Sequence, residues 1–255
     1  MPAATDVAAS RQTLPWIALG FVPIYGVFHA TATATASNFG EGGPLILAAT
    51  AAMALAVEWL LFRTPPSRAA VRLGFRRSRW RALLALGVAT APLLAFYPVF
   101  AAVSGAALTL RDGWYWIAGG VLLQGGIGEE LIWRGYTYRH LREGRRFWPA
   151  AVWTMAFTAA AHLYMLGTMA LPVALAAIAL SVLISFPLCY LFELDEGALG
   201  AVALLHFVVQ GVPKLFELPE AKLQTAQLGW IAVSALAPLI VFTVRRPRAP
   251  AVRRG

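Results

Sequence analysis

Glu129, Glu130, His162, His206 and Gln210 are polar or ionisable residues set in stretches that otherwise suit the interior of a lipid bilayer. Such groups are expensive inside a membrane span, so each is a candidate for chemistry until a partner explains it. Successive residues on an α-helix point about 100° apart, so the adjacent glutamates do not share a role. Glu130 precedes Arg134 by four residues, the order that favours an ion pair on one face. Its predicted task is structural: a desolvated pair that locks the helix. Glu129 is left without that partner. Gly125, Gly126 and Gly128 permit close approach of another helix or of a substrate backbone. A helix running to Glu143, with Gly144 opening a turn, puts a hairpin tip near residue 145. Glu129 lies 16 residues before that tip and His162 17 residues after it, so both sit about 24 Å from it, at nearly equal depth. His206 reaches a similar depth from the same side, and Gln210 lies one turn further on the same face. A carboxylate, two imidazoles and a carboxamide converging from three spans are suited to general acid–base catalysis. Glu129, His162 and His206 could also supply three ligands of an open zinc site, or a proton relay in a small carrier.

The elements that must bring these groups together are membrane helices. Of 255 residues, 59% are apolar and only 13% charged, with a mean hydropathy of +0.67; soluble domains have about 45–50% apolar and about 25% charged residues. Disorder is excluded by the same figures. The single Cys189 excludes a disulfide framework and a Cys-based zinc site. Eight apolar runs are predicted to span the membrane: 14–36, 44–62, 82–104, 114–133, 147–166, 168–192, 197–212 and 228–244. The runs are continuous rather than alternating, so the fold class is an all-α polytopic helix bundle and not a barrel. The net charge of +9 does not point to nucleic acid, because 19 of the 21 basic residues are Arg clustered between apolar stretches. One set of alternate loops holds Arg11, seven Arg between 63 and 81, five between 134 and 146 and five between 245 and 254, while the other holds only Arg111, Lys214 and Lys222. That asymmetry places both termini in the cytoplasm. The first span is too long, and its leading segment too poor in basic residues, for a cleaved signal peptide.

Four further features receive no chemical role. The stretch 63–81 is expected to lie along the cytoplasmic surface, its Arg heads on anionic lipid and Val71, Leu73, Phe75 and Trp80 dipping in. Glu58 is expected to find Arg63 and the interface by snorkelling. His29 falls at an outer end of a span, and His140 in a solvated basic hairpin.

At the glutamates the sequence resembles the CPBP family of intramembrane proteases, which includes CAAX prenyl endopeptidases and bacteriocin-processing or immunity proteins. The family's EExxxR motif is Glu129-Glu130-Leu-Ile-Trp-Arg134, followed by Gly135. Its FxxxH motif is represented by His162, with Thr158 at the aromatic position and Phe157 one residue early. Its HxxxN or HxxxD motif reads His206-Phe-Val-Val-Gln210, with Gln for Asn. The resemblance divides the chain into 1–113, N-terminal helices with a basic loop; 114–212, a protease core; and 213–255, a last helix and basic tail. It implies peptide-bond hydrolysis within the membrane, with Glu129 and His162 activating water and His206 and Gln210 holding the oxyanion, while Glu130 and Arg134 support the site. The implied substrate is a membrane-associated protein or peptide arriving laterally or from the cytoplasmic face. No cofactor is required on this reading, zinc at Glu129, His162 and His206 being the alternative. An Ala/Arg-rich, Lys-poor composition points to a bacterial inner membrane, where prenylated substrates are not expected. The rival readings are a non-catalytic immunity or scaffold member of the family, and a carrier.

Overall fold

The computed structural model describes residues 13–35 and 39–245; Arg11, the end of the first predicted span and the basic tail beyond 245 lie outside the described residues. The order is α1 Leu14–Ala34, α2 Gly43–Phe62, α3 Pro66–Arg72, α4 Trp80–Ser104, β1 Thr109–Leu110 and α5 Trp114–Val121. Two π-helical runs, Leu122–Gly128 and Leu131–Tyr138, and α6 Arg139–Arg142 follow. The chain then forms α7 Phe147–His162, α8 Met165–Thr168, α9 Leu171–Leu194, α10 Gly200–Leu215, β2 Phe216–Glu217 and α11 Glu220–Leu236, which tightens into a 3₁₀ segment, Ala237–Thr243. This is an all-α membrane helix bundle. Among the described residues six helical stretches are long and apolar enough to cross a bilayer: Leu14–Ala34, Gly43–Phe62, Trp80–Ser104, Phe147–Thr168, Leu171–Leu194 and Glu220–Thr243.

The other two predicted spans take different forms. Residues 197–212 yield α10, a shorter apolar helix that packs against α4, α5, α9 and the first π-helical run. Most of its residues are buried in protein, so it has neighbours rather than lipid to satisfy. Residues 114–133 start as α5 and then widen into the π-helical runs, which continue through α6. Such i→i+5 turns are rare and collect at functional sites. Thr137 Oγ1 donates to the carbonyl of Ile132, five residues back, at 2.8 Å, so a side chain reinforces the widened turn.

Glycines allow the closest approaches. A Cβ on Gly43 would meet the Gly120 carbonyl oxygen at 2.4 Å, and one on Gly135 would meet the Leu73 carbonyl oxygen at 2.4 Å. These contacts seat α5 on α2, and the second π-helical run on the 63–79 segment. A two-stranded antiparallel ribbon pairs Thr109 with Glu217 and Leu110 with Phe216. Patterning did not foretell this ribbon, because two-residue strands carry no periodicity.

Three expectations are corrected here. Glu58 does not reach for Arg63: it is wholly buried, ion-paired with Arg139 and 2.7 Å from His140 Nε2. His140 is not solvated, because Phe62 stacks on its ring at 4.1 Å and Tyr136 meets it edge-on at 4.8 Å. The 63–81 stretch lies partly on protein. Leu73 is fully buried, the Leu199 amide donates to the Gly74 carbonyl at 3.0 Å, and the Arg79 amide donates to Asp195 Oδ1 at 2.6 Å. Val71, Phe75 and Trp80 remain exposed. The buried acid of α2 and the acidic turn after α9 supply partners that local sequence could not reveal.

Candidate active site

Glu130 is the hub of the buried polar network. Its Oε1 accepts from Arg134 Nη1 at 2.7 Å and from His206 Nδ1 at 2.6 Å. Arg134 Nη2 donates in turn to the Ser185 carbonyl and hydroxyl on α9, at 3.0 and 3.1 Å. Arg134 and Glu130 are 2% and 0% exposed, so the charges exist only because they compensate each other. The predicted helix-locking pair therefore also binds α9 and α10 to the π-helical segment. A carboxylate can only accept from His206 Nδ1, which fixes the ring's orientation and leaves Nε2 directed at the second glutamate.

Glu129 projects away from that network. Its Oε2 lies 3.9 Å from His206 Nε2, and its Oε1 accepts from Gln210 Nε2 at 3.1 Å. Gly125 makes this contact feasible: a Cβ there would fall 1.7 Å from Gln210 Oε1. The first π-helical run also approaches α10 at Gly126, where a Cβ would sit 2.9 Å from the Ala203 carbonyl oxygen. These glycines admit another helix, as their spacing suggests.

His162 ends α7 and stacks on Trp133 with ring centroids 6.0 Å apart. Its Nδ1 is 2.8 Å from the Thr158 carbonyl; a carbonyl cannot donate, so Nδ1 carries the hydrogen and Nε2 of the neutral ring is the acceptor. Thr158, standing where the resemblance expects an aromatic residue, is buried and donates its own hydroxyl to Thr154. Glu129, His162 and His206 line a narrow cleft of about 20 Å³, room for about one water molecule. The same three residues and Gln210 also line an adjoining cavity of about 540 Å³.

The structure thus brings Glu129, His162, His206 and Gln210 to one cavity and keeps Glu130 and Arg134 behind it. Sequence reasoning missed Tyr25 and Tyr164 and gave His29 no role, yet all three line the cavity's wall. Phe21, Tyr25 and His29 recur every fourth residue, and that stripe was the available signal. It meets α7 in parallel: Phe21 against Phe157 at 5.1 Å, Tyr25 Oη donating to the Ala161 carbonyl at 2.7 Å, and His29 against Tyr164 at 5.0 Å. Among the described residues no three His, Cys, Asp or Glu side chains gather as a metal-ligating group.

Residues 111–212 match the family model of Rce1-like proteins, described as type II CAAX prenyl endopeptidase Rce1-like. The match encloses all three motifs and supports a CPBP family membrane protease. No curated protein and no solved structure gives a significant match.

Proposed function

We propose, proceeding from a CPBP-type membrane-protease core over residues 111–212, that this multi-pass membrane protein is an intramembrane endopeptidase acting on membrane-associated proteins or peptides, with a water held between Glu129 and His162 as the nucleophile. The observation that carries the proposal is the one-water cleft lined jointly by Glu129, His162 and His206, opening on a cavity large enough for a short peptide segment.

In this reading the Glu129 carboxylate takes a proton as the water oxygen bonds to the scissile carbonyl carbon. His162, its Nδ1–H committed to Thr158, presents Nε2 to the same water. Gln210 Nε2 turns from Glu129 to the developing oxyanion, joined by His206 Nε2–H when that ring is doubly protonated. Glu130 holds His206 in place without touching substrate. The proton on Glu129 then passes to the leaving amide nitrogen as the C–N bond breaks, giving one new carboxyl and one new amino terminus. Gln carries the same donor as Asn on a longer stem, so the altered third motif changes position rather than chemistry. The composition supports a bacterial inner membrane as the setting, and a peptide precursor or sorting tail as substrate.

The test compares wild type and Glu129→Gln in matched membranes of a host that carries the natural substrates, by mass spectrometry of the termini of membrane-associated proteins. Termini produced only by wild type are expected, along with a loss of about 100–1000-fold in their formation for Gln210→Leu, the usual effect of removing one oxyanion donor. Identical termini with both proteins folded would replace the proposal with a non-catalytic or carrier role. Cleavage that survives chelators is expected; loss restored by zinc would reassign Glu129, His162 and His206 as ligands.

A further inference from the structure

The chain's direction fixes which side of the membrane the cavity faces. α1 leaves the side that carries the basic loops, so Thr33, one residue short of its end at Ala34, lies near the opposite face. α7 leaves the same basic side, and Tyr164 and Met165 follow its end at His162. These residues, with His29, form the mouth of the 540 Å³ cavity, and His29, Thr33 and Tyr164 are exposed. Ile132, Trp133 and Ser181 lie at its deep end.

Toward the basic side the wall is solid. Every residue from Glu130 to Tyr138 is buried, and Thr158, Ile184, Leu188 and His206 close the flank with 8% exposure or less. The buried charges of Glu130 and Arg134 stand directly in that path. No residue of the basic segments 63–81 or 134–146 lines the cavity.

We propose that the site takes its substrate from the non-cytoplasmic face, as the extended polar segment that joins an outer-leaflet membrane anchor to the rest of a polypeptide. This rests on the protease reading above and names the substrate's side and form, against the expectation of cytoplasmic access. The chemistry of the mouth matches such a segment. The His29 ring stacks on Tyr25 with centroids 6.0 Å apart and meets Tyr164 edge-on at 5.0 Å, and the three present aromatic groups and hydrogen-bonding atoms rather than fixed charge. The volume suits a few extended residues and is too small for a folded domain.

Accessibility can be measured without catalysis. Single cysteines are placed at the deep end (Ser181→Cys), at the mouth (Thr33→Cys) and on the basic side (Ser67→Cys, exposed on α3). Native Cys189 is fully buried and contributes little background. Right-side-out and inverted membrane vesicles are treated with a membrane-impermeant methanethiosulfonate carrying a quaternary ammonium. Expected is labelling of Ser181→Cys and Thr33→Cys in right-side-out vesicles only, and of Ser67→Cys in inverted vesicles only. Labelling of Ser181→Cys only in inverted vesicles, or in neither, overturns the proposal, as does a reversed pattern for Ser67→Cys. Should Ser181→Cys fail to accumulate, Met165→Cys reports the mouth with the same two outcomes. The readout is the same in a Glu129→Gln background, so a protein that cleaves nothing still reveals its open side.

Discussion

The two adjacent glutamates answer to different measurements. Glu130→Ala strands the Arg134 guanidinium among Ser185, Leu188 and the π-helical backbone. Breaking a buried pair by removing one partner costs about 3–5 kcal/mol, so the melting temperature in detergent should drop sharply along with activity. Glu129→Gln keeps the contact with Gln210 within reach of an amide and should melt close to wild type while losing the chemistry. Equal losses of stability in the two variants would contradict this division. Gly125→Ala makes a third contrast: its methyl group would collide with Gln210, and overpacking of this kind costs about 1–3 kcal/mol. Gln210→Ala should relieve that strain in a double-mutant cycle. At this scale the sequence was readable for Glu129, His162, His206 and Gln210, because spacing and depth alone place them on facing helices. The second duty of Glu130, holding His206, was hidden: the four-residue spacing to Arg134 already explained it, and nothing local announces a partner 76 residues away.

At the scale of elements, α6 is fastened to α2 by Glu58, Arg139 and His140, the last with Glu143 4.0 Å away on its other side. Burial holds the His140 pKa below its ordinary value of 6.5, against the opposing pull of Glu58. The folded protein therefore binds fewer protons than the unfolded chain between that lowered value and 6.5. Stability from this contact is complete above pH 6.5 and is lost as pH falls toward the lowered value. Melting in detergent from about pH 7.5 down to about pH 5.5, across the range where histidine titrates, should show a falling midpoint, reduced in a His140→Phe variant that keeps the stack on Phe62. A midpoint unchanged by pH in wild type would refute it. The docked segment after α3 carries its own test: Leu73→Ala should cost about 2–5 kcal/mol, whereas Phe75→Ala, on an exposed side chain, should cost little. Helix existence and order followed from hydropathy runs, but the π-helical widening did not. An apolar run has the same composition whichever turn it adopts; the first widened run lies against α10 and α2.

Across the whole molecule, the ribbon of β1 and β2 joins loops that are distant in sequence. The Arg111 amide donates to the Leu215 carbonyl at 2.8 Å, and its guanidinium bonds the Lys214 carbonyl and pairs with Glu217. Cα atoms paired across an antiparallel ribbon lie about 4.5–5.5 Å apart, within the span of a disulfide. Thr109→Cys with Glu217→Cys should therefore crosslink within one chain on mild oxidation, as mapped by peptide mass spectrometry. Failure to crosslink in folded protein would remove the ribbon. The lost Arg111–Glu217 pair is exposed and contributes little. The ribbon has a consequence beyond stability. The matched stretch 111–212 leaves and returns to the bundle at a single point, so its two ends are already neighbours. Segments with adjoining ends are the ones that tolerate circular permutation and insertion. The matched stretch can therefore be opened at another loop, its two ends joined at the ribbon, without rethreading the chain, while Tyr25 and His29 of α1 go on completing the cavity wall.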